Sequence, residues 1–171
     1  LEVKQEYENT KDKKLLKDIS KYNNIQMAQK ISLNSAYGAI GNAYFRYHNH
    51  LIAEGITTSG QLSIKWIESD INRYLNKVME TTDEDYVVAS DTDSVYVVLD
   101  RYVSQKFKSE PDTTTIINEL DRFAKEDIEP IIDKSYQNLA SYLNCYSQRM
   151  NMKREVIADK GIWTAKKRYI L

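Results

Sequence analysis

The chain has 171 residues, of which 42% are hydrophobic and 29% charged, and its formal net charge is −1. This composition fits one ordinary globular domain, and the near-neutral balance does not by itself indicate nucleic-acid binding. No apolar run approaches the roughly 20 residues that span a membrane, and no signal segment opens the chain. The single cysteine, Cys145, excludes an internal disulfide and suits a reducing compartment; we expect it buried or half-buried in a helix.

The N-terminal part predicts one long helix. Residues 1–10 are polar and expected to be frayed, whereas residues 11–39 contain no proline and predict a helix that ends near Gly38 and Gly41. The chain opens on leucine rather than methionine and closes on what looks like an interrupted strand. We therefore expect an excerpt of a longer protein, although a processed or trimmed chain would have the same ends.

An aromatic-rich irregular segment and a second helix follow. His48 and His50 lack cysteine or acidic partners at ligand spacing, so surface or structural roles are expected for both. Residues 53–79 predict a helix whose apolar face recurs at spacings of three and four. That face consists of Gly60, Ile64, Ile67, Ile71, Leu75 and Val78.

The second half mixes short strands with another helix. In chain order, the prediction is a turn at 81–85, strands at 86–90 and 94–99, a polar loop at 104–115, a helix at 116–146, and strands at 152–158 and 163–171. Pro130 is expected to kink or restart the helix because proline removes a helical hydrogen bond. The fold class is therefore α+β, with long helices packed on a small antiparallel sheet.

Charge is distributed unevenly along the chain. Seven acidic residues and no lysine or arginine lie between Glu80 and Asp100, and seven basic against two acidic residues lie between Arg149 and Arg168. An acidic centre beside a basic segment suits a metal–phosphate site, because metals need carboxylates and phosphates need cations. On charge alone, two solvated surfaces of opposite sign are the simpler explanation.

Two aspartates, Asp91 and Asp93, lie between apolar runs that resemble strands covered on both faces. Residues two apart in an extended chain point the same way, roughly 7 Å apart, and two such carboxylates repel each other unless a cation lies between them. Mg²⁺ prefers oxygen ligands of this kind. A polar turn without metal remains the alternative, since aspartate is common in turns.

Two further groups of residues could contact a nucleotide. Lys30, Asn34 and Tyr37 are spaced to share one helical face, with Gly38 beside them to allow a close approach. The run "KKRY" (166–169) would place three cations and an aromatic ring on a strand. Taken alone, the helix face is more simply explained as ordinary polar surface, and a basic triplet is common on protein surfaces.

Together and in this order, the motifs "KISLNSAYG", "DTDS" and "KKRY" resemble those of family B DNA polymerases. The amino-acid sequence around the motifs is most similar to that of the T-even-like phage replicative enzymes. The resemblance covers residues 21–171. It implies a fingers helix in residues 1–40 and an incomplete palm subdomain in residues 41–171. It also implies primer–template DNA and a dNTP as partners, two Mg²⁺ ions as cofactors with Mn²⁺ as a substitute, and an intracellular location, in the bacterial cytoplasm if the source is a phage.

The resemblance also implies residue roles. Asp91 and Asp93 are the catalytic, metal-binding palm carboxylates; Lys30, Asn34 and Tyr37 bind the dNTP; and Tyr37 with Gly38 contacts the nascent base pair and template. The primer end of the DNA is held by Lys166, Lys167, Arg168 and Tyr169. Glu155 resembles an acidic residue near the active site, although Lys153 stands where the compared family member has aspartate.

Several family features are missing from the sequence: the "DxxSLYPS"-like motif with its aspartate, the opposing fingers helix, the thumb and an exonuclease domain. We therefore expect the isolated chain to be inactive unless a missing segment or a second polypeptide completes it. The alternative is a non-catalytic palm module that binds primer–template DNA. A nucleotidyl cyclase is disfavoured because "NSAYG" and "KKRY" do not belong to cyclases.

Overall fold

A computed structural model describes residues 2–107, 111–165 and 167–171. The helices there are α1 (Glu2–Thr10), α2 (Leu15–Gly41), α3 (His50–Val78), α4 (Asp100–Lys106), α5 (Thr113–Phe123) and α6 (Glu129–Tyr142). The strands are β1 (Val87–Asp91), β2 (Ser94–Val97), β3 (Ile162–Ala165) and β4 (Arg168–Ile170). The predicted α+β class is confirmed, but the strands form two separate antiparallel pairs, β1–β2 and β3–β4, rather than one sheet.

The chain divides into two compact units, Leu1–Thr57 and Thr58–Leu171. In the first unit α1 lies against α2, where Val3 and Ile19 line a small hollow between the two helices. The prediction that residues 1–10 are frayed is therefore wrong, because Val3 and Tyr7, one turn apart, give α1 a half-buried side. None of the described helices is both long enough and apolar enough to cross a membrane.

The core of the second unit is built on the predicted apolar face of α3. Ile67, Ile71 and Leu75 are buried along that face, and Met79 continues it just beyond the helix. Other core residues come from the first strand and the C-terminal helices: Tyr86, Val87, Tyr102, Phe123, Ile132 and Tyr136. The period of 3.6 residues in the sequence therefore located the central helix of the core correctly.

Truncating Leu75 is expected to destabilise the second unit strongly. Its side chain is 0% exposed, so Leu75→Ala should lower the free energy of unfolding by about 2–5 kcal/mol, through lost burial and the cavity left behind. Urea denaturation followed by circular dichroism measures this. Leu62 lies on the same helix but is 37% exposed, and Leu62→Ala should cost clearly less. Equal losses for the two variants would contradict the assignment of the core.

A continuous helical stretch replaces the predicted helix 116–146, with different ends. It contains α5, a π-helical turn (Ala124–Ile128) and α6, and Pro130 lies in the first turn of α6. The expected restart at Pro130 is confirmed, since the wide turn lies where proline leaves a carbonyl without its helical donor. The helix ends at Tyr142 because Asn144 adopts a left-handed φ of 51°, a common way to end a helix.

Other local predictions were wrong. Cys145 lies beyond the end of α6 and is exposed rather than buried in a helix. Both ends of the predicted loop 104–115 are helical, because α4 extends to Lys106 and α5 begins at Thr113; residues 108–110 lie outside the described residues. The segment 152–158 forms no strand, because side-chain bonds rather than a backbone ladder hold it.

The C-terminal strand prediction was also partly wrong. Residues 163–171 do not form one strand, because the chain reverses between Ala165 and Arg168, which pair across the turn. Lys167 lies in that turn with a φ of 62°, so of the described part of the basic run only Arg168 and Tyr169 lie on a strand, as predicted. Just before the hairpin, a Cβ on Gly161 would lie 2.6 Å from the Trp163 ring, so glycine permits this packing.

Candidate active site

The two central aspartates lie at the tip of a tight hairpin, as the sequence predicted. Asp91 pairs with Ser94 across the strands, so only Thr92 and Asp93 form the loop. The Asp93 amide donates to the Asp91 carbonyl at 2.6 Å, and the Ser94 hydroxyl donates to the same carbonyl at 3.2 Å. The Thr92 hydroxyl donates to Asp91 Oδ1 at 3.0 Å. The tip thus presents two carboxylates from a locally hydrogen-bonded base.

The backbone of the tip is strained. Thr92 has a φ of 54°, a left-handed conformation that β-branched residues rarely adopt. Such conformations cost on the order of 1–3 kcal/mol and concentrate at functional sites. Among the described non-glycine residues with a positive φ, Thr92 is the one that is β-branched, so the strain is greater at this turn than at the others.

The prediction that both faces of these strands are covered was wrong. Val87 is buried, but Val88 is 52% exposed and Val98, just after β2, is 38% exposed. Within the described residues, β1 and β2 form a sheet of two strands, and its face away from the core is covered in part, where Tyr96 contacts Trp163 and Tyr169. The apolar composition correctly predicted the strands, but it could not show which of their faces are packed within this chain.

Two asparagines on α3 fix the entry into the hairpin, and sequence reasoning missed them. Asn72 Oδ1 accepts the amides of Tyr86 at 2.9 Å and Val87 at 3.2 Å. Asn76 donates to the Glu84 carbonyl at 2.7 Å and accepts the Glu84 amide at 3.0 Å. The signal available in the sequence was two amide side chains at i and i+4 on the helix just before the turn.

An open cleft of about 1600 Å³ lies beside the hairpin within the second unit. Its walls come from the hairpin tip, the C-terminal helices, the irregular segment 149–159 and the β3–β4 hairpin. It is lined by the predicted site residues Asp91, Asp93, Glu155, Lys167 and Tyr169. The structure therefore brings these five together, although they lie up to 78 positions apart in the sequence.

Tyr136 lies on the cleft wall and was not singled out from the sequence. It belongs to the core and is 4% exposed, yet it lines the same cleft as Asp93. Burial raises the pKa of Tyr136, and the negative charges of Asp93 and Asp133 raise it further. Its phenol therefore stays protonated at neutral pH and remains a hydrogen-bond donor.

Aromatic packing joins the two hairpins. Tyr96 of β2 makes edge-on contacts with Trp163 at 5.2 Å and Tyr169 at 5.4 Å between ring centroids. Interaction with the Tyr96 hydroxyl raises the pKa of Tyr169, and the charges of Asp91 and Glu155 add to this effect. The Tyr169 ring therefore packs against Tyr96 and lines the same cleft as the carboxylate tip. Arg168 is exposed on β4, and Lys166 lies outside the described residues.

A charged network stabilises the helices behind the cleft. Glu119 accepts hydrogen bonds from Arg122 and from the Tyr102 hydroxyl, both at 2.7 Å. These bonds lower the pKa of Glu119 to about 2, with Arg122 as the largest cause. Burial, followed by the bond to Glu119, raises the pKa of Tyr102 to about 12. Both groups therefore keep their neutral-pH protonation states over a wide pH range.

This network predicts an acid-dependent loss of stability. Because the pKa of Glu119 is lowered from 4.5 to about 2 on folding, its contribution is complete above pH 4.5 and is lost as the pH falls toward 2. Glu119→Gln should flatten the dependence of unfolding free energy on pH in this window, as measured by urea denaturation. Glu126→Gln is the control, because Glu126 binds the same Arg122 but is more exposed. An unchanged slope in Glu119→Gln would contradict the assignment.

In the first unit, α2 is unbroken and carries the predicted nucleotide-contacting residues. Lys30, Asn34 and Tyr37 therefore lie on one helical face, and all three are exposed. A Cβ added to Gly38 would meet nothing within 4 Å, so this surface is open to a ligand. His48 is structural, as expected, since its Nδ1 lies 3.0 Å from the Ile40 carbonyl oxygen.

The carboxylates at the hairpin tip suit a hard divalent cation. Among the described residues, no group of three or more His, Cys, Asp or Glu side chains is arranged to hold a metal ion. Asp91 and Asp93 offer two carboxylates on a tip fixed by local hydrogen bonds. One or two carboxylates, with phosphate oxygens and waters completing the shell, is the usual protein contribution to Mg²⁺ binding. The donor set therefore fits a hard divalent cation such as Mg²⁺.

Comparison with known proteins identifies the class. The sequence profile of DNA polymerase family B matches residues 1–170, and the chain belongs to this family. It is 44% identical to the DNA-directed DNA polymerase of Enterobacteria phage T4 over an alignment of 161 positions that covers 87% of this chain and 18% of the phage protein. It is 43% identical to the DNA-directed DNA polymerase of Escherichia phage RB69 over an alignment of 155 positions that covers 85% of this chain and 17% of that protein.

A more distant relative is the DNA polymerase of Choristoneura biennis entomopoxvirus, which is 25% identical over an alignment of 207 positions, gaps included. That alignment covers 99% of this chain and 19% of the viral protein. The chain therefore spans less than a fifth of the length of any of these three relatives. The family predicted from the sequence motifs is confirmed.

Proposed function

We propose that the chain is part of a DNA-dependent DNA polymerase, with residues 1–40 in the fingers and residues 41–171 in an incomplete palm. The observation that carries the proposal is the hairpin tip, where Asp91 and Asp93 face a large open cleft in a chain of this family. In the reaction, the primer 3′ oxygen bonds to the α-phosphorus of a dNTP and the bond to the β-phosphate breaks. Pyrophosphate leaves.

Each side chain has a role defined by its charge. Asp91 and Asp93 would hold Mg²⁺, or Mn²⁺ in its place, and these ions supply charge stabilisation to the attacking and leaving oxygens. On the fingers helix, Lys30 neutralises the triphosphate, Asn34 lies beside it, and Tyr37 with Gly38 packs against the nascent base pair. The primer strand is held by Lys166, Lys167, Arg168 and Tyr169.

Completion of the site requires groups beyond this chain. The described residues provide only a pair of carboxylates for metal, and the motif "DxxSLYPS" does not occur in the sequence. We therefore propose that a missing segment or a second polypeptide supplies the upstream aspartate of that motif, the remaining fingers and the thumb, and that the chain alone is inactive. Such a polymerase works inside a cell, in the bacterial cytoplasm if its gene belongs to a phage.

Primer extension tests the proposal directly. The chain is incubated with Mg²⁺, primer–template DNA and dNTPs, with and without a polypeptide that carries the upstream family B segments. We expect extension only in the complemented mixture, and none when the added polypeptide lacks its "DxxSLYPS" aspartate. DNA binding without extension under every complementation would instead favour a non-catalytic primer–template-binding module.

A further inference from the structure

The wall of the cleft includes a segment that has no regular secondary structure. Residues 150–158 form neither helix nor strand, yet all of them line the cleft beside the hairpin tip. A segment without a backbone ladder must be fixed by side-chain contacts if it is to hold a defined path. Arg154 lies in the middle of this segment and makes such contacts.

Arg154 connects the segment to both C-terminal helices. Its backbone amide donates to Glu129 Oε1 at 3.1 Å, at the start of α6. Its guanidinium Nη2 forms an ion pair with Asp121 Oδ1 on α5. These partners precede Arg154 by 25 and 33 positions. Arg154 therefore ties the segment to the helices on either side of the π-helical turn.

The ion pair is partly shielded from solvent. The side chains of Arg154 and Asp121 are 32% and 27% exposed, so the pair is less screened than one on an open surface. Lys125 binds the other oxygen of Asp121 at 2.6 Å, and the two cations lower the pKa of this carboxyl, Lys125 being the larger cause. Asp121 therefore remains ionised and able to hold Arg154 at neutral pH.

The residue after Arg154 is the acidic Glu155, which also lines the cleft. Arg154 Nη1 donates to the Glu155 carbonyl at 3.3 Å, so the guanidinium also fixes the backbone of its neighbour. Glu155 lines the cleft with Asp91 and Tyr169, and its charge acts on the Tyr169 phenol together with that of Asp91. The path of the backbone at Arg154 therefore sets where the Glu155 carboxylate lies.

We propose that Arg154 is a positioning residue. It is anchored to Asp121 and Glu129, and it holds residues 150–158 against α5 and α6. It thereby fixes Glu155 in the cleft that Asp91 also lines. The catalytic consequence of this anchor rests on the proposed polymerase function, whereas the anchor itself does not. The role requires both the fork geometry and the charge of arginine, because two nitrogens of the guanidinium bind different partners.

Hydrogen exchange on the 171-residue chain tests the anchor independently of activity. We expect exchange of the residue-154 amide, which donates to Glu129, to accelerate about tenfold in Arg154→Ala and Asp121→Asn, and less in Arg154→Lys, which keeps the charge. Exchange in α3 is the internal measure of folding and should not change. Lys160→Ala is the matched control, because it removes a nearby exposed cation. Unchanged exchange in the folded Arg154→Lys and Asp121→Asn variants would overturn the anchor.

Kinetics of the complemented polymerase test the positioning role. Arg154→Ala should lower kcat roughly 10- to 100-fold, as loss of a supporting contact does elsewhere, while KM for dNTP stays within about twofold. Adding Glu155→Gln should cause little further loss, because Arg154 acts through Glu155. Fully multiplicative losses would overturn the positioning role. If the unmodified assembly shows no extension, the proposed function fails, and hydrogen exchange still decides whether Arg154 anchors the segment.

Discussion

Replacing Asp93 by asparagine is expected to abolish metal-dependent nucleotidyl transfer by the complemented polymerase, with kcat falling roughly 10³-fold or more. The amide keeps the size of the side chain but removes the negative charge that a divalent cation requires. Because Asp93 is exposed at the tip of the hairpin, the substitution should leave the fold intact. Primer extension at saturating Mg²⁺ and dNTP measures the effect.

A neighbouring aspartate provides the matched control for this experiment. Asp83 lies in the exposed turn before β1 and does not line the cleft. Its φ of 53° is one that asparagine tolerates well, so Asp83→Asn should extend primers at the unmodified rate. Full activity in an assembly that carries Asp93→Asn would reject the assignment of Asp93 as a metal ligand and catalytic residue.

Removing the charge of Lys30 is expected to weaken dNTP use rather than chemistry. Lys30→Ala should raise KM for dNTP roughly 10- to 100-fold, since charge-assisted hydrogen bonds contribute about 1.5–3 kcal/mol each. The exposed position of Lys30 on α2 means that it can be shortened without loss of packing. Steady-state single-nucleotide incorporation, with dNTP varied at fixed primer–template, separates KM from kcat.

Lys17 is the matched control on the same helix. It is also exposed on α2, but it lies outside the motif that resembles the nucleotide-binding face. Lys17→Ala should therefore leave KM for dNTP unchanged. If the two variants raise KM equally, the effect would reflect the general charge of α2, and the specific contact between Lys30 and the triphosphate would be rejected.

The parts of the fold that sequence reasoning predicted well are those with local periodic signals. The core face of α3 follows from apolar residues at helical spacing, which Ile67, Ile71 and Leu75 occupy as buried residues. The β1–β2 hairpin follows from two apolar runs around a short polar turn, and the structure pairs Asp91 with Ser94 there. In both cases the deciding interactions lie within a few residues of each other.

The features that were missed depend on contacts between distant residues. Residues 152–158 look like a strand, but Arg154 binds Asp121 and Glu129 instead of a backbone partner. The anchoring of the hairpin by Asn72 is likewise a side-chain contact across 14 positions. The contacts of Arg154 leave no periodic trace in the sequence, and the paired asparagines at i and i+4 on α3 indicate a polar helix face without showing which backbone groups it binds.

The sequence also predicted only part of the candidate site. Family motifs predicted Asp91, Asp93 and Tyr169 as site residues, and all three line the cleft. They did not predict Tyr136, because its position in the sequence is typical of an ordinary core residue on a helix. Its place on the cleft wall follows only from the folded structure. The roles assigned to Lys30, Asn34 and Tyr37 stay predictions, which the kinetic experiments on Lys30 begin to test.

The left-handed threonine at the tip implies a trade between rigidity and stability. A glycine at Thr92 would adopt the φ of 54° without a steric cost, so the chain gives up part of its folding free energy at this turn. In return, the threonine hydroxyl binds Asp91, and the restricted backbone limits the range of orientations open to the two carboxylates. Thr92→Gly would remove both the strain and the hydroxyl bond to Asp91, and its freer backbone would widen the range of orientations open to the two carboxylates.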